Sequence, residues 1–346
     1  MIPEQQLHWP GLLPPPTHGC LIKVEPEDFQ VDEIPAYRPS GSGDHLLVLV
    51  EKRNHTTPRL ARALARHLRL AEFDVGMAGL KDRRALTRQW LSLPASCAGQ
   101  LDDFHMEGVR LLEVARHNNK LKTGHLKGNR FRILLRECPA GAVADIRTRA
   151  ERLLASGVPN YFGPQRFGHE GSSLAEGLDI LHGRRGARRG RELRLKLSAV
   201  QSKLFNDVLA GRIRQGILGR ALAGDVMCFD GSRSLFTCTE PEADQPRVER
   251  LEIHPTGPLF GPRMMAAGGE VGRLEQQVAA ESRVDLKLFE RFRKLMRGGR
   301  RPLRLRLADF AMDSTPQGPV LTFTLPPGCY ATVVLRELVD YREPSR

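Results

Sequence analysis

The stretch Gly79-Leu80-Lys81-Asp82-Arg83-Arg84-Ala85-Leu86-Thr87-Arg88-Gln89-Trp90 sets one carboxylate among the cations Lys81, Arg83, Arg84 and Arg88. Gly79 ahead of it permits a tight backbone turn. Nearby cations favour the charged form of an acid, so Asp82 is expected to stay ionised. An ionised carboxylate is a nucleophile that needs no partner base, whereas a serine hydroxyl must first lose its proton. A Lys-Asp-Arg cluster is equally the composition of a solvated turn with weak surface ion pairs. The decision between the two lies in the sequence around it.

Upstream, Thr56-Thr57-Pro58 supplies a capping residue and an early proline, and Leu60, Leu64 and Leu68 follow at intervals of four, which predicts a helix. Arg59, Arg62, Arg66 and Arg69 fall at helical spacing on another face, which is either solvated or turned to phosphates. Strands are predicted at Cys20 to Val24, His45 to Val50 and Arg130 to Arg136, with residues 118–129 read as a polar loop facing nucleic acid. A helix is expected over Ala142 to Ala155. Residues 158–168 then interleave Tyr161, Phe162 and Phe167 with glycines and Arg166, a mixture suited either to stacking on bases or to packing under a stiff loop. The segment Arg184 to Arg191 reads as a flexible arginine-rich loop, and Ser198 to Gln201 as a capping box opening a helix. Arg297 to Pro302 has the composition of a linker. Beyond it, Leu303, Leu305 and Leu307 alternate with Arg304 and Arg306 as in a strand with one basic face, Val320 to Leu325 makes a partner strand, and Ala331 to Val339 a helix. Strands toward both ends with a Gly- and Pro-bounded middle suggest one domain inserted in another.

The 346 residues exceed the roughly 250 to 300 at which a single core stops growing, so two domains are expected. With 40% hydrophobic and 27% charged residues the chain has neither the composition of a disordered protein nor an apolar run of membrane-spanning length, and its opening lacks a basic, then apolar, leader. A cytoplasmic location is expected. The six cysteines are scattered without a Cys-x-x-Cys pair, so reduced thiols are expected; the histidines show no His-Glu-x-x-His spacing, so no metal is. A formal net charge of +13, carried mostly by arginine, points to a polyanion, and nucleic acid is favoured over a membrane. Nothing demands a dimer, and a monomer is the default.

Pro26-Glu27-Asp28-Phe29, the Gly79 to Trp90 segment, Leu126-Lys127-Gly128-Asn129, Asn160 to Gly168, Ser198-Ala199 with Leu204-Phe205-Asn206, and Arg336-Glu337-Leu338 together resemble, in order and over nearly the whole length, the motifs of the TruD family of tRNA pseudouridine synthases. The resemblance implies an α+β pseudouridine synthase fold around a mixed, mainly antiparallel sheet. It places the catalytic domain at residues 1–155 plus 304–346 and a TruD-type α/β insertion domain at 156–303. It further implies that Asp82 is the nucleophile and that Phe29, Asn129 and Tyr330 contact the target nucleotide. At the last of these the family typically carries phenylalanine, so Tyr330 departs from the pattern. Phe131 matches an aromatic beside the flipped base, and Lys23 is the candidate cation pairing with Asp82. Contacts to the RNA backbone are expected from Lys81, Arg83, Arg84, Arg166, Arg184, Arg185, Arg188 and Arg189.

The reaction implied is isomerisation of uridine to pseudouridine in tRNA, at uridine 13 of the D arm of glutamate tRNA, with no cofactor. The N1–C1′ bond breaks, the uracil turns, and C5 joins the same C1′. Asp82 either attacks C1′ or removes the 2′ proton to give a glycal, and the sequence does not separate these. Everting the uridine costs a few kcal/mol, which stacking worth about 1–3 kcal/mol per base offsets. The rival reading is a non-catalytic RNA-binding protein or RNA chaperone using the same basic surface; a metal-dependent nuclease is weaker still, for want of ligands.

Overall fold

The computed structural model describes residues 7–186 and 190–344. In chain order the elements are β1 (Gly19–Leu21), β2 (Phe29–Pro35), β3 (His45–Arg53), α1 (Thr57–His67), β4 (Gly76–Met77), β5 (Leu86–Pro94), β6 (Val109–His117), β7 (Leu126–Leu134) and α2 (Ala142–Ser156). Then follow β8 (Val158–Pro159), α3 (Ser172–Leu181), α4 (Arg191–Arg214), β9 (Val226–Phe229), β10 (Leu235–Thr237), α5 (Pro241–Glu249), β11 (Ile253–Leu259) and α6 (Gly269–Glu281). Last come β12 (Gly299–Pro302), β13 (Arg304–Leu305), β14 (Ala308–Thr315), β15 (Gly318–Leu325), α7 (Ala331–Leu338) and β16 (Asp340–Arg342). The chain divides into two compact units.

One unit, Thr17–Asp145 with Ala308–Gly328 and Val339–Arg346, is built on a sheet of strand order β14-β15-β7-β2-β5-β3-β6, with β4 added beside β5. Its pairings are antiparallel except between β2 and β5, so the sheet is mixed and mainly antiparallel, as the α+β reading requires. Register places one row of side chains across one face: Lys52 on β3, Thr87 on β5, Val31 on β2, Phe131 on β7 and Phe323 on β15. Because successive strand residues alternate faces, Val50, Gln89, Glu33 and Asn129 lie on that same face, two residues along from this row. Helix α1 covers part of this face. Thr56 caps it by accepting from the Arg59 amide at 3.3 Å, and its inward Leu60, Leu64 and Ala65 pack with Leu46, Val48, Val50, Leu91 and Leu93. Burying a leucine of this kind is worth about 1.5–3 kcal/mol.

The other unit, whose described residues fall within Met1–Pro16, Ile146–Leu307 and Cys329–Leu338, packs α3 and α4 with a sheet of order β10-β9-β11-β12. Its core gathers Phe162, Phe167, Leu197, Leu204, Phe205 and Phe289.

Several local expectations need correction. Residues Leu126–Asn129 belong to β7 and are not loop. The helix predicted to open at Ser198 begins at Arg191, with Ser198 in its interior, its hydroxyl donating to the Leu195 carbonyl at 2.8 Å. The linker-like Arg297 to Pro302 contains β12, which pairs with β11 because Arg300 finds a buried carboxylate in Glu275. The strand predicted over residues 303–307 shrinks to β13, and the partner of β15 is β14 instead. Of the aromatics at 161, 162 and 167, all are buried, so packing and not base stacking is their role. Among the cysteines, Cys20 and Cys138 are disulfide-linked with Cα atoms 4.8 Å apart, since residue 21 bridges residue 136 and draws two distant segments together. Cys97, Cys228, Cys238 and Cys329 are free. Among the described residues no helix is long and apolar enough to cross a membrane.

Candidate active site

Asp82 lies in the link between β4 and β5, and its neighbours in sequence are tied down on the sheet face just described. The Lys81 amide donates to Thr57 Oγ1 at 3.0 Å, and Thr57 Oγ1 donates to Gln89 Oε1 at 2.7 Å, which fixes the link to the start of α1 and to β5. The Lys81 ammonium is buried against Glu33 Oε2, and Glu33 Oε1 accepts from the Trp90 amide at 3.2 Å. Lys52 Nζ donates to the backbone carbonyls of Asp82 at 2.9 Å and His55 at 2.7 Å. Gly79 acts differently from expectation. Its φ is not in the left-handed region, and a Cβ there would meet Lys81 Nζ only at an ordinary contact distance of 3.4 Å, so neither backbone nor space requires glycine.

Lys52 is fully buried, and burial pushes its ammonium from the usual 10.5 down to about 8; the Asp82 charge pulls it back up and the Lys81 charge pushes it further down. The cations read from the sequence point elsewhere: Lys81 to Glu33, Arg88 to Glu51 at 2.9 Å and Asp32 at 3.4 Å, and Arg84 to the Pro344 carbonyl at 3.2 Å. Arg83 is exposed. Lys23 pairs with Glu343 at 2.8 Å and lies 4.6 Å above the Phe29 ring, so its partner is not Asp82. Buried as it is, Lys81 has no outward route to a phosphate. Among the described residues the half-buried Asp82 carboxylate makes no hydrogen bond or ion pair, which leaves its oxygens open to a ligand.

The same face carries further polar atoms with no protein partner. Asn129 Oδ1, Thr87 Oγ1 and Gln89 Nε2 are buried and unpaired among the described residues. Leaving a buried polar group unmet costs about 1–3 kcal/mol, a cost that a ligand bonding to it would relieve. Asn129 is held in register by Gly128, where a Cβ would sit 2.6 Å from the Leu325 carbonyl, so β7 and β15 close tightly only with glycine there. Beside it, Phe29, Phe131 and Phe323 form a chain of rings, the first two edge-on at 6.1 Å and the last two stacked at 5.6 Å. Phe29, Phe131, Asn129 and the Asp82 link therefore share one side of one sheet. The sequence reading missed Lys52, Glu33, Thr57 and Gln89. The first two had a visible signal, since Leu46-x-Val48-x-Val50-x-Lys52 and Phe29-x-Val31-x-Glu33 each continue an inward alternation into a charged residue.

The remaining expected residues lie in the other unit. Tyr330 is edge-on to Phe162 at 6.4 Å; burial raises its hydroxyl pKa, against the pull of Arg166 and Arg301. Arg166 donates from Nε to Ser202 Oγ at 3.1 Å and lies over the Phe162 ring, an internal engagement in place of the expected backbone contact. Arg184 and Arg185 are exposed and pair with Asp179 at 3.4 Å and Glu176 at 3.2 Å. Arg188 and Arg189 lie outside the described residues.

Comparison with known proteins bears on this geometry as a whole. The family model described as "tRNA pseudouridine synthase D (TruD)" matches residues 14–185 and 191–338. The chain is 46% identical over 329 residues to a tRNA pseudouridine synthase D of Anaeromyxobacter dehalogenans, covering 93% of this chain and 94% of that protein. It is 44% identical over 325 residues to one of Thermus thermophilus, covering 94% and 90%. A crystal structure described as a TruD from Methanosarcina mazei superposes with a TM-score of 0.73 at 27% identity, over 96% of this chain and 95% of that one.

Proposed function

Because the chain belongs to the TruD family of tRNA pseudouridine synthases, isomerases that act on tRNA, we propose that Asp82 is its nucleophile and uridine 13 of glutamate tRNA its target. The observation that carries this is the Asp82 link itself. Its backbone is fastened at two points, by Thr57 and Lys52, and the Lys81 side chain by Glu33, while the Asp82 carboxylate has no partner among the described residues. A rigid backbone with an uncommitted anion is what an attack on a sugar carbon needs, because positioning replaces a bimolecular encounter by an intramolecular one.

In the proposed reaction the everted uridine lies against the face that carries Asn129 and Phe131. An Asp82 oxygen bonds to C1′ as the N1–C1′ pair leaves with the uracil. The uracil turns, C5 displaces the carboxylate from C1′, and the C5 proton is lost. The alternative glycal route, removal of the 2′ proton, draws on the same anion. Asn129 Oδ1, buried without a partner, is suited to accept from a uracil N–H. Phe29 and Phe131 keep that region apolar, so water is kept from the sugar carbon. Tyr330 as a further contact to the nucleotide, and catalysis by residues 1–155 with 304–346 around an insertion at 156–303, belong to the same proposal.

The test is the Asp82→Asn protein incubated with glutamate tRNA and a panel of other tRNAs, with pseudouridine mapped by carbodiimide modification. Loss of all product with tRNA affinity held within a few-fold supports the reading. Retained product removes Asp82 from the chemistry. Binding by the wild type without product on any tRNA leaves the RNA-chaperone reading.

A further inference from the structure

Beside the Asp82 link runs a groove of about 790 Å³ that the reading above does not use. One wall is the outer face of α1, contributing Arg59, Arg62 and Arg66; Arg83, the residue after Asp82, and the loop at Phe104 and His105 complete it. No carboxylate lines it. Among the described residues none of the four arginines makes an ion pair, whereas Arg53, Arg88, Arg110 and Arg136 of the same unit each face a carboxylate. Four unneutralised guanidinium groups on one concave surface repel one another and draw in a polyanion.

The shape restricts which one. From Arg59 to Arg66 the helix rises about 10 Å, roughly three nucleotides of a stacked strand at about 3.4 Å each. The helix cannot lie in a bilayer, because its apolar residues Leu60 and Leu64 are buried in the unit's own core. Arginine in place of lysine favours forked contact to phosphate oxygens. We infer that this groove holds the sugar–phosphate backbone of the tRNA strand flanking the target uridine, and so fixes which stretch of strand passes the Asp82 link. The inference rests on the tRNA-isomerase reading, in that the strand leads to that site.

The experiment replaces Arg59, Arg62 and Arg66 together by glutamine, and separately by lysine, and measures tRNA affinity by fluorescence anisotropy across a salt series alongside pseudouridine formation. For the glutamine protein, Kd is expected to rise about 10- to 100-fold near 0.1 M salt, and the slope of log Kd against log salt to fall by about 2 to 3. The loss of activity appears in KM and is recovered at saturating tRNA. The lysine protein keeps the slope, which shows that charge and not an altered fold is responsible. An unchanged Kd and slope in the glutamine protein overturns the groove while the isomerase reading stands, and would leave an acidic protein surface as the partner. Absence of product from the wild type overturns the isomerase reading, yet the slopes still decide the groove.

Discussion

Each unit buries an ion pair, and the two pairs are finished differently. In the unit of α6 and β12, Arg300 bonds Glu275 through both terminal nitrogens at 2.7 and 2.9 Å and gives its remaining donors to Thr256 Oγ1 and to the carbonyls of Thr256 and Met265. Every polar atom of that cluster is met, and the Glu275 carboxyl, pushed up by burial, is held back by Arg300. In the sheet unit Lys81 and Glu33 also satisfy each other, but Asn129, Thr87 and Gln89 around them retain buried atoms without partners, and the Asp82 carboxylate above has none. A buried charge is thus no mark of function by itself. Hydrogen-bonding capacity left over beside an uncommitted carboxylate is the better mark; Arg212 Nε of the other unit's buried Arg212–Asp225 pair is also unmet, but there the two charges neutralise each other.

Breaking that contrast has a largest expected effect at Asp82. Asp82→Asn should lower pseudouridine formation by at least about 10³-fold while the melting temperature stays within a few degrees, since the side chain bonds nothing among the described residues. At the closed cluster the outcome inverts: Arg300→Met strands the Glu275 carboxylate and is expected to cost about 3–5 kcal/mol in urea unfolding, with the rate per folded molecule unchanged. Lys52→Met removes the bond to the Asp82 carbonyl and should reduce kcat about 10- to 100-fold with tRNA affinity nearly constant.

Lys52 also gives a pH signature. Its folded pKa of about 8 lies below the ordinary 10.5. Below about pH 8 both the folded and unfolded forms hold the proton, and the destabilisation from the buried charge is present in full. Between about 8 and 10.5 the folded form has lost a proton that the unfolded chain keeps, so stability from this group rises with pH, by up to about 3 kcal/mol. Calorimetry of wild type against Lys52→Met should show that rise in the first protein alone. The smallest effects come from two asparagines. Asn206→Ala, which breaks bonds to both the Phe162 amide and carbonyl, should cost about 1–3 kcal/mol in stability and little rate. Asn129→Ala should lower kcat/KM about 10-fold and leave stability nearly untouched, because Oδ1 has no partner to lose among the described residues.

The elements that speak through local chemistry were legible. Thr56 and Pro58 start α1 and its leucines bury where their spacing put them; Asp82 was singled out by its neighbours, and Phe29, Asn129 and Phe131 by family motif. What the sequence concealed is tertiary. Lys52 looks like a surface residue by type, and only its place in an inward alternation argues otherwise. The expected cations around Asp82 were the wrong ones, because proximity in sequence says nothing of Glu33, Glu51 or Glu343 arriving from other strands. Arg297 to Pro302 read as a linker since its glycines and prolines are local, whereas the carboxylate that seats Arg300 is not.

The strand order has a consequence for how the protein is made. Strand β7 lies between β2 and β15, and β15 is translated only after the whole of α2 through β13 has left the ribosome. Through that interval a nascent chain presents β7 with one side unzipped, a template for other strands. Synthesis that stalls before Gly318 should therefore yield an aggregating product, and trigger factors or holdases that shield an open strand should matter more for this chain than its finished sheet suggests.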